Sequence, residues 1–409
     1  MEVKQNKLLA LLLNAWILIP VFFYFKMVNE YALNLPYSDD YDAILGFLNI
    51  FNGASFSEKI SLLFAQHNEH RILSSRIIFI LYYKVFGNIN FRHLIFIANL
   101  QLAALFFVVV FFIKQSIPKY WNLAAFITAL CMFDVGNFEN ANFAMAGMQN
   151  YGVILWFAIS LFYYSKNTTA SLLSAVIFQL LCIFSSGNGG IGSLLITAFT
   201  VFSKSRIKMI AGILSSLIFI PLYFFHYSKA AAVAGTNIPD SISYFFQLTG
   251  GIFDFDLSLY IGVCIIVLLL ICLPVTKKIQ FKNNTLPLFC LLLFVLASMA
   301  TVSFFRSHVQ GIHFYTSRYL IYPHLLAGLL FVFGFIRLQG NRAQWPAAII
   351  FLLIMLRTYS HNIEWGQSGF NVEYTRLTST EYVHPDQKRA KAVSEESCRQ
   401  GIYCIEDGR

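Results

Sequence analysis

Long apolar runs constrain this sequence more than any single motif does. Runs of mostly hydrophobic residues recur from residue 8 to residue 358, separated by short polar stretches. Because a membrane-spanning helix needs about 20 consecutive apolar residues, the pattern predicts an all-α polytopic membrane protein. Only 12% of the 409 residues are charged, against roughly 25% in soluble domains, which excludes an ordinary soluble fold.

The runs predict about eleven transmembrane helices. The segment 72–86 is short and contains Arg76, so we interpret it as an interfacial or re-entrant helix. Segments 41–51 and 57–66 are predicted to form short interfacial helices within a first outer loop over 27–92. The predicted crossings are 8–26, 93–113, 121–135, 151–165, 170–186, 190–203, 207–226, 257–274, 285–305, 319–336 and 345–358.

The distribution of Lys and Arg predicts the orientation of the chain. With this set of crossings, the segments assigned to the cytoplasm carry Lys and Arg throughout but a single acid, Glu2. Cytoplasmic loops of membrane proteins have this excess, so we expect a cytoplasmic N-terminus and a periplasmic 27–92 loop. The net charge of +9 therefore indicates orientation, and we expect no nucleic-acid partner.

One transmembrane catalytic domain is predicted over residues 1–358, followed by a polar periplasmic tail over residues 359–409. Five of the seven cysteines lie in apolar runs, whereas Cys398 and Cys404 share the tail. Disulfides form in oxidising compartments such as the periplasm. We therefore predict a Cys398–Cys404 disulfide, with two free thiols as the alternative.

Three carboxylates, Asp39, Asp40 and Asp42, closely follow the first apolar run. Charged groups at the edge of a membrane are costly unless they face water or a partner, which favours a functional role. An ordinary solvated turn is the alternative, because Pro36 and Ser38 are common turn residues. A carboxylate in this position could act as a general base towards a sugar hydroxyl.

Four further polar clusters are predicted to lie on the same outer face. They are Gln66–Arg71 with Arg76, Asn137–Asn142 with Gly147–Asn150, Ser185–Gly190, and a fifth cluster of Arg306, Ser307, His308, His313, Thr316–Tyr319 and His324. A single cluster of this kind is often only a turn, but five on one face favour a polar cavity. Arginines in it could bind a lipid-linked phosphate, and amide, histidine and aromatic side chains could bind sugar rings. The candidate binding residues are Asp42, His67, Glu69, His70, Arg71, Glu139, Asn140, Gln149, Asn188, Arg306, His313, Arg318 and Tyr319.

Motifs for nucleotides and zinc are missing from the sequence. It contains neither a Walker-type loop nor a dinucleotide fingerprint, which disfavours a nucleotide-driven pump. His67, Glu69 and His70 lack the spacing of the helical H-E-x-x-H zinc site. No metal site is predicted; Mg²⁺ or Mn²⁺ could bridge a substrate phosphate to Asp39 and Asp40, but neither is required if arginines neutralise that phosphate.

The ordered motifs resemble those of the integral-membrane GT-C glycosyltransferases. Those enzymes have many transmembrane helices, interfacial helices in the first outer loop and an acidic motif just after helix one, where this chain has Asp39-Asp40. Further stretches are similar to motifs of a bacterial branch found with surface-polysaccharide genes: Gln66 to Arg71, Glu139-Asn140 leading to Gln149, Ser185 to Gly189, and Ser317-Arg318-Tyr319.

This resemblance implies transfer of a sugar from a polyprenyl-phosphate donor, such as undecaprenyl-phosphate-linked hexose, to a lipid-linked glycan such as O-antigen. It also implies a site on the periplasmic face of the bacterial inner membrane, among membrane lipids. Asp39 or Asp40 would be the catalytic base of an inverting transfer. Arg306 or Arg318 would hold the donor phosphate.

Two other functions fit a polytopic chain with a polar outer face. A flippase or other transporter of lipid-linked oligosaccharides would favour an inverted repeat and polar groups on both faces, and the sequence shows neither. An O-antigen polymerase or ligase could use His313 and Arg318. It would favour a central outer loop larger than residues 227–256.

Overall fold

The computed structural model describes residues 7–166, 168–202, 205–228, 237–253, 256–273, 285–310 and 316–405. Over these ranges the backbone is predominantly helical, and its only strands are two that pair in one hairpin. The prediction of an all-α chain is therefore confirmed for the residues described.

The helices within these ranges are α1 (Lys7–Tyr31), α2 (Phe47–Gly53), α3 (Phe56–Phe64), α4 (Leu73–Phe86), α5 (Phe91–Ser116), α6 (Trp121–Met132), α7 (Phe138–Asn142), α8 (Ala144–Tyr164), α9 (Thr169–Ile183), α10 (Gly189–Phe202), α11 (Arg206–Phe224), α12 (Ile238–Gly250), α13 (Ser258–Cys272), α14 (Leu286–Gln310), α15 (Ile321–Arg337), α16 (Gln344–Ser379) and α17 (Gln387–Arg399). A π-helical turn covers Tyr41–Gly46, 3₁₀ turns cover Val135–Asn137 and Ser317–Tyr319, and the strands are β1 (Gln66–His67) and β2 (His70–Arg71).

Within the described ranges, seven helical segments are long and apolar enough to cross a membrane. Three more apolar helices, α9, α10 and α13, are shorter than the roughly 20 residues that a span needs. The structure therefore supports a multi-pass membrane protein, and the full set of eleven crossings stays a prediction. The seven segments are Phe91–Ser116, Trp121–Asn142, Ala144–Tyr164, Arg206–Phe224, Leu286–Ser307, Ser317–Arg337 and Gln344–Ser379.

The chain divides into two compact units, and helices α1, α5 and α16 each contribute residues to both. The first unit consists of Met1–Asn29, Leu105–Asn137 and Val233–Gln367. The second unit consists of Glu30–Ala104, Phe138–Ala232 and Ser368–Arg409.

Close helix packing characterises the first unit. Helix α6 packs against α15, and α12 packs against both α13 and α14. A side-chain carbon at Gly250 or Gly262 would meet backbone atoms of the facing helix. Small residues permit this close approach of backbones between membrane helices, so these glycines fix how α12 and α13 cross.

A hydrogen-bonded bundle of α8 to α11 forms much of the second unit. Gln179 of α9 is fully buried, and its Nε2 donates to Ser193 Oγ of α10 at 2.8 Å and to Ser216 Oγ of α11 at 3.0 Å. The Tyr164 hydroxyl of α8 donates to Gln179 Oε1 at 3.1 Å. Polar side chains that hydrogen-bond across apolar helices stabilise such bundles.

The first loop contains the predicted short helices. The π-helical turn with α2 covers the predicted segment 41–51, and α3 covers the predicted segment 57–66 as far as Phe64, whereas Gln66 begins β1. Helix α4 has 14 residues and ends at Gly87, whose φ of +77° lies in the left-handed region that glycine tolerates. At 1.5 Å per residue it is about 21 Å long, which is shorter than the hydrocarbon core of a bilayer.

The C-terminal region contains helix beyond the last predicted crossing. Helix α16 continues to Ser379, well past the predicted end at residue 358. Beyond it, α17 packs against the π-helical turn and α2 of the first loop. The polar sequence predicted a tail over residues 359–409. The contacts of α17 make this helix an ordered part of the second unit.

Candidate functional site

Asp40, the second of the three loop carboxylates, is buried and binds backbone groups. Its Oδ1 accepts a hydrogen bond from the Met145 amide at 2.8 Å, and its Oδ2 accepts one from the Tyr37 amide at 3.1 Å. Burial raises the pKa of Asp40 to about 7, although both amides act in the opposite direction. Asp40 therefore connects the loop to the first turn of α8, where its carboxylate is poorly placed to contact a substrate.

Asp42 connects the first loop to the C-terminal segment. Its Oδ1 accepts a hydrogen bond from Arg389 Nε at 2.8 Å, and its Oδ2 lies 3.5 Å from His384 Nε2. Nearby, Asn49 Nδ2 donates to the Val393 carbonyl at 3.1 Å. These contacts indicate an anchoring role for a residue that the sequence predicted to bind substrate.

Asp39 has the carboxylate that the fold engages least. Within the described ranges it accepts one hydrogen bond, from Asn68 Nδ2 at 3.3 Å, and the residue is half-buried. His67 lies within its electrostatic reach: burial lowers the pKa of His67, and Asp39 raises it. Asp39 therefore combines partial solvent access with unused acceptor capacity next to an imidazole.

The stretch Gln66–Arg71 forms the β-hairpin. Gln66 pairs with Arg71 and His67 pairs with His70, leaving a two-residue turn. Asn68 in that turn has φ of +48°, in the left-handed region that asparagine tolerates better than most residues. The tight turn positions the Asn68 amide for its contact with Asp39.

The hairpin contacts the glycine-rich turn that begins at Ser185. His70 Nδ1 accepts a hydrogen bond from the Gly187 amide at 3.1 Å. A side-chain carbon at Gly187 would lie 3.2 Å from the same nitrogen, so a larger residue would displace His70. Gln149 of α8 donates to Ser186 Oγ of this turn at 3.1 Å.

Four of the five predicted polar clusters are thus in mutual contact within the second unit. Asn140 accepts a hydrogen bond on Oδ1 from Asn150 at 2.9 Å and is fully buried, and Asn188 is 7% exposed. Glu69 and Glu139 are half-buried. The contacts that join the clusters are Asp39 with Asn68, Asp40 with Met145, His70 with Gly187, and Gln149 with Ser186.

Tyr37 belongs to the same site, although sequence reasoning did not select it. Its ring stacks on Phe143 with centroids 3.7 Å apart, and its hydroxyl accepts a hydrogen bond from Arg376 Nη1 at 3.0 Å. Burial raises the pKa of Tyr37 above its ordinary value, and Glu373 and Glu139 act in the same direction. The phenol donates its single O–H to the Glu373 carboxylate, so Tyr37 links the acidic loop to the C-terminal part of α16.

Arg71 is occupied by the backbone. Its Nε donates to the Tyr223 carbonyl at 2.6 Å, and its two terminal nitrogens donate to the carbonyls of Phe64 and Phe225. Sequence reasoning predicted a substrate-binding arginine at this position. The structure gives Arg71 an additional role in joining the hairpin to α3 and to the end of α11.

The fifth predicted cluster lies in the first unit. The Arg318 guanidinium lies over the Tyr319 ring, 5.5 Å from its centroid. Burial raises the pKa of Tyr244, and Arg306 and Arg318 both act to lower it, so the two arginines are within electrostatic reach of one phenol. His313 lies outside the described residues.

A buried polar group in the first unit is centred on Asp134, which sequence reasoning did not select, although His324 and Asn137 belong to the predicted polar clusters. Asp134 and His324 are both fully buried, and His324 Nε2 lies 3.4 Å from Asp134 Oδ1. Asn362 Nδ2 donates to Asp134 Oδ2 at 3.0 Å, and Asn137 Nδ2 lies 3.0 Å from His324 Nδ1. The signal was an acid at the end of an apolar run, which is expensive in a membrane unless it is paired.

The described residues do not identify a metal site. Within the ranges that the structure describes, no group of three or more His, Cys, Asp or Glu side chains is arranged to hold a metal ion. Mg²⁺ or Mn²⁺ at the acidic loop stays a prediction.

Comparisons with protein-family models, curated proteins and solved structures gave no match.

Proposed function

We propose that the protein is a membrane glycosyltransferase of the GT-C type. It transfers a sugar from a polyprenyl-phosphate donor to a lipid-linked cell-envelope glycan such as O-antigen. The observation that supports this best is the convergence of four polar clusters around the acidic loop of the second unit. Asp39, with a single hydrogen bond in the described ranges, is the group that we assign as general base.

Comparison of the three loop carboxylates supports the assignment of Asp39 as general base. Asp40 has both oxygens bound to backbone amides, and Asp42 is bound to Arg389 and His384. A general base must be within hydrogen-bond reach of the proton that it removes. Of these three acids, Asp39 has the acceptor capacity and the solvent access that this role needs.

The proposed step is a single displacement. Asp39 removes the proton of an acceptor hydroxyl as that oxygen attacks the anomeric carbon. The bond between the anomeric carbon and the phosphate oxygen breaks, and polyprenyl phosphate leaves with the bonding electron pair. His67 and Asn68 would orient the Asp39 carboxylate.

The sidedness of the proposal is supported by the C-terminal segment. Cys398 and Cys404 form a disulfide, as predicted, and α17 packs on the first loop. Because disulfides persist in oxidising compartments, the loop with Asp39 would face the periplasm. Labelling by a membrane-impermeant maleimide should then modify Asn52→Cys in intact cells and spare Arg342→Cys.

The decisive experiment is an Asp39→Asn variant assayed for transfer in membranes supplied with donor and acceptor lipids. Loss of a general base typically costs 10²- to 10⁴-fold in rate, so we expect transfer to fall by about that factor at an unchanged protein level. The composition of the surface polysaccharide in a deletion strain identifies the sugar to supply.

Asp386→Asn is the matched control. Asp386 caps α17 through the Arg389 amide at 3.0 Å, and asparagine is an equally good cap. This variant should transfer at the wild-type rate. Normal transfer by Asp39→Asn, with the deletion strain defective, would remove Asp39 from the mechanism while leaving the enzyme class intact.

The phosphate-binding role of Arg306 and Arg318 is proposed from the sequence resemblance and is tested separately. Arg306→Lys and Arg318→Lys keep the charge but lose the planar fork that binds phosphate through two parallel hydrogen bonds. We expect a higher KM for the donor in at least one of them. Wild-type donor kinetics in both variants would contradict this role.

A further inference from the structure

Two arginines near the hairpin are buried side by side. Arg71 is 7% exposed and Arg76 is 5% exposed. Burial lowers the pKa of Arg76 to about 10, and the positive charge of Arg71 acts in the same direction. In the part of the chain that the structure describes, neither guanidinium forms an ion pair with a carboxylate.

Backbone carbonyls surround both guanidinium groups. Arg76 Nη1 donates to the carbonyls of Leu62, at 2.7 Å, Leu63, at 3.2 Å, and Ala65, while its buried Nε has no hydrogen-bond partner among the described residues. Arg71 donates to three carbonyls, which leaves two of its five N–H groups. Carbonyl dipoles satisfy hydrogen bonds but do not neutralise two adjacent positive charges, so the pair attracts an anion.

A cavity of about 510 Å³ lies next to this pair, and Arg71 is part of its lining. This volume is within the range of ordinary ligand sites. Ile60, Leu222 and Phe225 give it apolar walls, and His226 contributes a second potential cation. His226 has φ of +50°, a strained conformation that is enriched at binding sites.

The apolar walls of this cavity continue onto surfaces that suit lipid. Helix α3 begins with a capping box formed by Ser55 and Glu58 and exposes Phe56 and Ile60. The opposite wall is the end of α11, a candidate membrane span, where Phe225 is 64% exposed. A ligand with a phosphate group and an apolar chain matches both parts of the lining.

We propose that this cavity binds the phosphate headgroup of an anionic membrane phospholipid. The phosphate contacts the remaining N–H groups of Arg71 and the imidazole of His226, and an acyl chain lies along Ile60, Leu222 and Phe225. A phospholipid is favoured over a soluble anion because these walls are apolar. The site shares Arg71 with the predicted substrate-binding residues, but it uses none of the three loop carboxylates.

The test is a titration of the purified full-length protein in zwitterionic detergent with phosphatidylglycerol. Binding is followed by native mass spectrometry and by protection against thermal unfolding. Ser61→Glu places one negative charge at an exposed position of the lining and should weaken binding about five-fold. Ser61→Arg should strengthen binding by a similar factor, so a simple folding defect cannot mimic the pair of results.

Asn52→Glu is the charge-matched control, because Asn52 is exposed on α2 and is not part of the lining. It should bind phosphatidylglycerol like the wild-type protein. Three further ligands identify the source of the phosphate: phosphatidylcholine with the same chains, inorganic phosphate and undecaprenyl phosphate. Weaker binding of all three supports the proposal; equal binding of any one, or equal affinity in both Ser61 variants, overturns it.

Discussion

The Asp40 carboxylate accepts a hydrogen bond at 2.8 Å from the backbone amide of Met145, 105 positions further along the chain. That amide belongs to the first turn of α8, where backbone N–H groups have no partner within the helix. Because the helix dipole favours negative charge at this end, a single buried acid holds the first loop on a membrane helix. This contact identifies Asp40 as the structural acid of the loop and distinguishes it from Asp39, which we assign to catalysis.

Asp40→Asn should change the pH dependence of stability. Burial raises the pKa of Asp40 from 3.8 to about 7 in the folded state, so the folded protein binds more protons than the unfolded chain between those values. The unfolding free energy contributed by Asp40 therefore falls as pH rises through that window. Asparagine cannot ionise, and we expect a flatter profile in thermal unfolding between about pH 4 and pH 7.

Asp386→Asn serves as the reference for this measurement, since Asp386 is an exposed helix cap. It should keep the slope of the wild-type profile. If Asp40→Asn and the wild-type protein lost stability in parallel across the window, Asp40 would not be the titrating group.

The acidic loop shows what sequence reasoning could and could not reach. The pattern of apolar runs predicted the helical membrane fold, and three acids after the first run predicted a polar site. The sequence could not separate Asp39 from Asp40, because burial of Asp40 depends on Met145 in a distant helix. Position along the chain carries no information about such long-range contacts.

Asp42→Asn should loosen the C-terminal segment. Asp42 is 21% exposed and Arg389 is 61% exposed, so solvent screens their ion pair and its contribution is about 0.5–1 kcal/mol. A double-mutant cycle with Arg389→Gln isolates that coupling. Amide hydrogen exchange in residues 383–399 should rise in both single variants. No coupling in the cycle would mean that the pair does not anchor the segment.

Reduction of the Cys398–Cys404 disulfide should release the chain end that follows α17. The bridge spans a sequence separation of 6, and closing such a short loop is worth about 2 kcal/mol. The Ile89 amide donates to the Ile402 carbonyl at 2.7 Å. Its hydrogen-exchange protection should therefore fall in a double serine variant, whereas the amide of Leu161 in α8 should stay protected. Unchanged exchange at Ile89 would show that the bridge does not hold this contact.

Gln179→Leu should destabilise the bundle of α8 to α11. Leucine leaves Ser193 Oγ, Ser216 Oγ and the Tyr164 hydroxyl without their shared partner, and hydrogen bonds between membrane helices contribute about 0.6 to 1.7 kcal/mol each. We expect a loss of about 1–3 kcal/mol, measured as a lower Tm in detergent. Ser174→Ala, at a half-buried position where the hydroxyl donates to the Ala170 carbonyl of the same helix, should change little. A loss no larger than that of the control would contradict the structural role of the network.

The polar group around Asp134 illustrates a second limit of the sequence. A lone acid after an apolar run could be solvated or paired, and nothing nearby in the chain identifies a partner. Its partners, His324 and Asn362, come from α15 and α16. His324 and Asn362 are spaced along their helices in the same way as ordinary core residues. Only the fold shows that they share one buried site with Asp134.

Comparison of His324→Leu with His324→Gln should distinguish how much the polar contacts of His324 contribute to stability from how much its packing contributes. The imidazole is fully buried between Asp134 Oδ1, at 3.4 Å, and Asn137 Nδ2, at 3.0 Å. Leucine fills similar space but leaves the Asn137 amide without its hydrogen bond, which costs about 1–3 kcal/mol for such a buried group. Glutamine can offer an acceptor to Asn137, so the Tm of His324→Gln should lie between those of His324→Leu and the wild-type protein. If the leucine variant were as stable as the wild-type protein, the contacts of His324 would contribute nothing to the stability of the first unit.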